Sequence, residues 1–189
     1  MINSKPNNPK KKDGTSKYRQ GLYLPKNKDK VFKLNDKGGI WFRSSWEHKV
    51  CRYLDECASD DYDGPNKILM WGCECVCIPY TKTDVKKAKD GIMDYKTTEH
   101  NYYPDFWYRR LKKDGSVEEV VMEVKPYTET IQPKIPANNA TRKQLENFEY
   151  SMKLWNANMY KWEHAINYCE SRGMKFIILT EAFIKRLGN

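Results

Sequence analysis

The sequence predicts an α/β fold with a mixed sheet of about four strands flanked by helices. Two observations carry this. Helix-like and strand-like segments follow one another in the order helix, three strands, helix, strand, and an aromatic content of 13% supplies bulky side chains for one core. A chain of 189 residues suits one domain of ordinary size plus tails. Residues 1–17 read as a basic flexible tail and residues 18–189 as a single domain.

Each element has its own signal. After a Gly38-Gly39 break, Ser44 and Ser45 form an N-cap, and Trp46, Val50, Tyr53, Leu54 and Cys57 then fall on one side of a helix. A polar loop from Ser59 to Asn66 ends it. Lys67 to Tyr80 reads as one long strand closed by proline, and residues 81–101 as a charged, turn-rich, exposed excursion. Two further strands, Tyr102–Leu111 and Val117–Val124, are joined by KKDGS. A loop holding Pro126, Pro133 and Pro136 leads into a helix over Ala140 to Ser171, with Gly173 as its C-cap. Met174–Leu179 is a short buried strand, and an amphipathic turn follows it.

Composition narrows the function classes. No run of about 18 apolar residues is present, so no membrane span and no membrane partner is expected. The polar, lysine-rich start lacks the apolar segment of a secretory signal, which points to an intracellular protein with reduced thiols. Cys73, Cys75 and Cys77 alternate, so a strand places them on one face about 7 Å apart. Zinc sites gather ligands at turns, usually as C-x-x-C pairs, and this chain has none. The cysteines therefore read as small buried hydrophobes.

The net charge of +9 is unevenly placed: residues 1–30 carry nine Lys or Arg against two Asp, leaving +2 for the other 159 residues. Lys10, Lys11, Lys12, Lys17 and Arg19 are candidate phosphate contacts giving salt-sensitive affinity for nucleic acid. A solubilising arm, or a grip for a protein partner, fits the same composition equally well.

The informative stretch is YYPDFWYRR, then KKDG, then VEEVVMEVKP. Asp105 heads one strand, and Glu123 and Lys125 lie near the end of the next, 18 and 20 residues on. Phosphodiester hydrolysis needs carboxylates to hold Mg²⁺, and two suffice because that ion keeps several waters. A neighbouring lysine orients the attacking water or stabilises developing charge. Glu123 and Lys125, two apart on a strand, share a face.

Whether Asp105 joins them depends on the hairpin register. With a two-residue loop, Asp114-Gly115, Asp105 faces Val124 and the acids diverge. With a three-residue loop, Lys113-Asp114-Gly115, and Gly115 left-handed in a bulge, Asp105 lies opposite Glu123. This second register also opposes Arg109 to Glu119 and Arg110 to Glu118, and those charge pairs favour it. Glu47 has two readings of equal weight. Ser44-x-x-Glu47 has capping-box spacing, and the same carboxylate could instead face the metal.

The P-D…E-x-K pattern after a helix glutamate resembles the PD-(D/E)xK nuclease superfamily, which includes TnsA-type transposase endonucleases. The segments KYRQGLYLP, RSSWEHKVCRYLD, W…E…IPY, YYPDF, EVKP, N…KWEHAINYC and GMKFIILTE, in order, resemble the head completion nucleases of contractile-tailed phages. The longer basic N-terminus and the 81–101 excursion depart from that pattern. The resemblance implies a restriction-endonuclease-like αβββαβ core and a DNA endonuclease. Asp105 and Glu123 would ligate Mg²⁺ (or Mn²⁺), Lys125 would lie near the scissile phosphate, and Glu47 would be an active-site acid and metal ligand.

The same resemblance implies action on packaged DNA at the head–tail junction, in the host cytoplasm during assembly or in the virion, with portal or neck proteins as partners. The alternative is a non-catalytic DNA- or portal-binding component of the phage neck. Glu74 is read as approaching metal or DNA, or as solvated. Lys161 on the long helix is read as a phosphate contact or, more plainly, as a solvated helical lysine. Trp46, Trp71, Trp155 and Trp162 read as core, and His48, His100 and His164 form no pattern that suggests a base.

Overall fold

The structure, a computed structural model, describes residues 19–87 and 93–187. Its centre is a four-stranded mixed sheet whose strands are named in chain order. They are β3 (Lys67–Cys73), β6 (Phe106–Leu111), β7 (Val117–Val124) and β8 (Lys175–Leu179), in the spatial order β3-β6-β7-β8. Two antiparallel pairs lie outside that sheet: β1 (Gly21–Tyr23) with β2 (Ile40–Phe42), and β4 (Ile78–Lys87) with β5 (Met93–Tyr102). Helix α1 (Ser45–Ala58) precedes β3, α2 (Arg142–Glu170) joins β7 to β8, and the short α3 (Glu181–Ile184) follows. The β7–β8 pair is parallel, so the chain needs a long crossover between them, and α2 provides it.

The predicted αβββαβ order therefore holds as α1, β3, β6, β7, α2, β8. Periodicity explains the layers. Alternate residues of β7 (Val120, Met122 and Val124) meet α1 through Val50, Leu54 and Cys57, and share that core with Trp71 and Phe106. Val121 points to the opposite face, with Trp107 and, from α2, Cys169. Each fully buried large apolar side chain contributes roughly 1.5–3 kcal/mol. Trp71 and Trp162 are buried, while Trp46 and Trp155 are half-buried.

The ends of the helices follow their sequence signals. Ser44 Oγ accepts the Glu47 N–H at 3.1 Å, capping α1. Thr141 and Gln144 form a reciprocal capping box on α2, which Gly173, at φ 67°, terminates.

Four expectations need correction. The strand expected over Lys67–Tyr80 breaks after Cys73, because Glu74 adopts φ 47° and turns the chain. The cysteines consequently do not line one strand face: Cys73 ends β3, and Cys77 is exposed beyond the break. The 81–101 excursion is largely paired, its two sides forming the β4–β5 ladder from Ile78↔Tyr102 to Lys87↔Met93. Tyr102 ends β5, so the strand expected over Tyr102–Leu111 starts only at Phe106, after Pro104.

The register of the β6–β7 hairpin matches the three-residue loop. Phe106 pairs with Met122, Arg109 with Glu119 and Arg110 with Glu118. Both charge pairs form, at 2.7 Å for Arg109–Glu119 and 2.6 Å for Arg110–Glu118. Gly115 sits at φ 80°, with nothing within 4 Å of an added Cβ. Gly115→Ala thus isolates the backbone cost, and an expected loss of about 1 kcal/mol would lower the melting temperature by about 2–4 °C. An unchanged melting curve would show that this turn does not hold the register.

Candidate active site

That register places Asp105 one residue before β6 and across from Glu123 near the end of β7. Three main-chain contacts fix the place. The Val124 N–H donates to Asp105 Oδ2 at 2.7 Å, the Asp105 N–H donates to Glu123 Oε2 at 3.3 Å, and the Glu74 N–H donates to the Asp105 carbonyl at 3.1 Å. Just beyond β7, the Lys125 N–H bonds the Leu179 carbonyl at 2.9 Å, tying this end of β7 to β8. The Lys125 ammonium reaches Glu123 Oε1 at 3.2 Å, with side-chain exposures of 28% and 7%.

Electrostatics oppose a bare acid pair here. Burial pushes the Asp105 carboxyl well above the ordinary carboxylate range. Glu123 and then Glu47 add to that, and the Val124 N–H and Lys125 offset only part of it. Burial alone would pull the Lys125 ammonium down, but Glu123 and Asp105 hold it above its ordinary value. Lys125 is therefore a cation at neutral pH, suited to charge stabilisation and to orienting water. Among the described residues, no group of three or more His, Cys, Asp or Glu converges as a ready-made metal cage. The donor set is the Asp105–Glu123 pair, the number of carboxylates Mg²⁺ commonly takes. A buried carboxylate (Glu123) and a half-buried one (Asp105), crowded by a third acid, fit a divalent cation, since its charge would relieve their repulsion.

Glu47 engages the helix start. Its Oε1 accepts the Ser44 hydroxyl at 2.9 Å and its Oε2 accepts the Arg43 N–H at 2.8 Å, while its charge still reaches Asp105. The capping reading is thus realised, shifted back by one residue. Lys161 places its ammonium 5.7 Å from the Tyr102 ring centroid. Tyr102 is buried beside Glu123, and its hydroxyl completes no well-formed hydrogen bond. Arg19 is exposed two residues before β1. Lys10, Lys11, Lys12 and Lys17 lie outside the described residues.

Several features escaped sequence reasoning. The Arg43 guanidinium pairs with Glu74, at the only non-glycine position with positive φ among the described residues. Such a conformation costs on the order of 1–2 kcal/mol. No periodicity signals it, although Glu74 stands in the W…E…IPY segment. His100 and His164 flank Tyr80, at ring distances of 5.3 and 6.0 Å, a cluster that distance along the chain hides. Asp55, read only as part of a helix, gathers a buried hydrogen-bond network with Tyr23, Lys26 and Asn27.

A register-locked acid pair with an adjoining lysine, at the end of a mixed sheet, is the arrangement of a nuclease. The family model of the TnsA-like endonuclease N-terminal domain matches residues 66–181, and the chain belongs to that family. The chain is also 34% identical, over 171 residues, to the head completion nuclease of Enterobacteria phage T4. That alignment covers 89% of this chain and 95% of the phage T4 protein. No solved structure matches the chain.

Proposed function

We propose that this chain is a Mg²⁺-dependent DNA endonuclease of the PD-(D/E)xK type that serves as a phage head completion nuclease. The observation that carries the reading is the Asp105–Glu123 register, with Lys125 ion-paired beside it. Asp105 and Glu123 hold the metal, and Glu47 adds negative charge from the start of α1. Mg²⁺, or Mn²⁺ in its place, supplies Lewis-acid chemistry to the phosphodiester when bound. Lys125 lies near the scissile phosphate, where its ammonium orients the attacking water and offsets charge building on the phosphoryl oxygens. Glu123 fixes where that ammonium points. Arg19, Lys161 and the basic residues Lys10, Lys11, Lys12 and Lys17 add sequence-independent phosphate contacts.

The homologue's name supports the assembly role. On this reading the protein works in the host cytoplasm during head completion, on packaged DNA at the head–tail junction beside portal or neck proteins.

The test is Lys125→Ala. Its expected cleavage rate with Mg²⁺ is about 10²–10³-fold below wild type. Its melting temperature should still rise on adding Mg²⁺, because the two carboxylates remain. Wild-type cleavage by this variant would remove Lys125 from the mechanism.

A further inference from the structure

We propose that Arg43 binds a backbone phosphate of the DNA strand at this centre, and that Glu74 holds its guanidinium in place until the phosphate displaces the carboxylate. The inference rests on the reading that the site cuts DNA.

A continuous chain of contacts places Arg43 there. Its N–H donates to Glu47 at 2.8 Å, its guanidinium pairs with Glu74, and the Glu74 N–H donates to the Asp105 carbonyl at 3.1 Å. The guanidinium is therefore tied through Glu74 to the main chain of Asp105, one of the two acids expected to hold the metal. Glu74 takes up its position by leaving the strand. A continuing β3 would alternate its side chains between the two sheet faces, whereas the left-handed turn at φ 47° redirects Glu74 to meet Arg43. Strained, non-glycine backbone of this kind persists where the surroundings over-determine it, and it concentrates at functional sites.

The pair is built to exchange partners. Both side chains are about one-third exposed, at 35% for Arg43 and 33% for Glu74, so a ligand can reach the guanidinium. Lys125 is held by a far more buried partner, Glu123, with 7% side-chain exposure, and is less free to turn to a second anion. Glu74 also stands within electrostatic reach of Glu47 and Glu123, two like charges that weaken its claim on its site. A guanidinium fork matches two phosphate oxygens at once, so a DNA strand offers Arg43 a geometric equivalent of the carboxylate it gives up. Without Glu74, Arg43 would be free to sample many rotamers, and with it the guanidinium waits at the site. The carboxylate is in this sense a stand-in for phosphate.

The experiment measures binding of a labelled DNA duplex in EDTA, where nothing is cut, across about 50–200 mM salt. Nicking kinetics with Mg²⁺ are measured in parallel. Arg43→Gln should weaken binding about tenfold, reduce the slope of log affinity against log salt by about one, and raise KM with kcat little changed. Glu74→Gln should tighten binding severalfold with the slope kept. The double variant, whose neutral pair guards against misfolding from a stranded charge, should bind like Arg43→Gln. Melting curves confirm that each variant is folded.

An unchanged salt slope in Arg43→Gln overturns the proposal. So does a Glu74→Gln variant that binds as poorly as Arg43→Gln, because Glu74 would then be supporting the fold and not competing with phosphate. If wild type neither binds the duplex nor nicks DNA, the nuclease reading falls first and takes this inference with it. If wild type does both and only the Arg43 prediction fails, the nuclease reading stands.

Discussion

Asp105→Asn is expected to lower DNA cleavage about a thousandfold or more while raising the melting temperature of the metal-free protein by about 2–6 °C. The two effects share one cause. Asp105 is half-buried against Glu123, with Glu47 in reach, and desolvation together with these two like charges disfavours its ionised form, so its carboxyl titrates above the ordinary range. A carboxyl whose folded pKa is raised contributes stability that is fully present below the unfolded value, about 3.9, and is lost as pH rises through the folded value. At neutral pH the metal-free protein therefore carries a penalty that asparagine removes. The substitution also keeps an oxygen to accept the Val124 N–H, so the turn before β6 stays satisfied. The same change takes one of two carboxylates from the metal. Mg²⁺ should stabilise wild type, by about 2.7 kcal/mol at a hundredfold excess over its Kd, and leave the variant's melting curve where it was. A variant that loses stability without metal would mean that Asp105 is held for structure.

Asp55→Ala is expected to destabilise the fold by about 3 kcal/mol, a fall of about 6–12 °C in melting temperature. Asp55 is 2% exposed on α1, and it clamps the segment between β1 and β2 onto that helix. Its carboxylate accepts the Tyr23 hydroxyl at 2.7 Å, the Lys26 N–H at 2.8 Å, and the Asn27 N–H and side-chain amide at 3.0 and 3.1 Å. Alanine removes the acceptor of the Tyr23 hydroxyl and of the Lys26 and Asn27 N–H groups, while the Asn27 side-chain amide keeps its bond to the residue 55 carbonyl at 2.8 Å. Burial pushes this carboxyl up, but the hydrogen bonds outweigh it and hold the group below the ordinary carboxylate value. A lowered folded pKa means that the contribution is present above the unfolded value of about 3.9 and is lost as pH falls through the folded one. Asp55→Asn should accordingly flatten the fall in stability between about pH 5 and pH 2. Urea titrations at several pH values measure both effects. A loss under about 1 kcal/mol at pH 7 would show that the network contributes little.

The parts of the fold that could be read from the sequence are those set by local chemistry. Ser44 caps a helix, Gly115 and Gly173 supply left-handed backbone, and the opposed charges of Arg109, Arg110, Glu118 and Glu119 choose a register. That register is also what brings Asp105 to Glu123, so the heart of the candidate site was legible for the same reason. What stayed hidden depends on contacts between distant residues. The break at Glu74 is paid for by Arg43 and the Asp105 carbonyl, neither of which is near it in sequence. The β4–β5 ladder pairs charged, threonine-rich strands whose alternation gives no apolar face to detect. The short β1–β2 pair was passed over because Asp55, 28 or more residues away, is what secures the segment between its strands.

The most direct test of the central claim is nicking of supercoiled plasmid by wild type and Asp105→Asn, each with Mg²⁺ and with EDTA. Nicking by wild type with Mg²⁺ alone, absent from the variant under every condition, is the predicted result. Equal nicking by both proteins, or nicking by wild type that persists in EDTA, would contradict a metal centre built on Asp105 and Glu123.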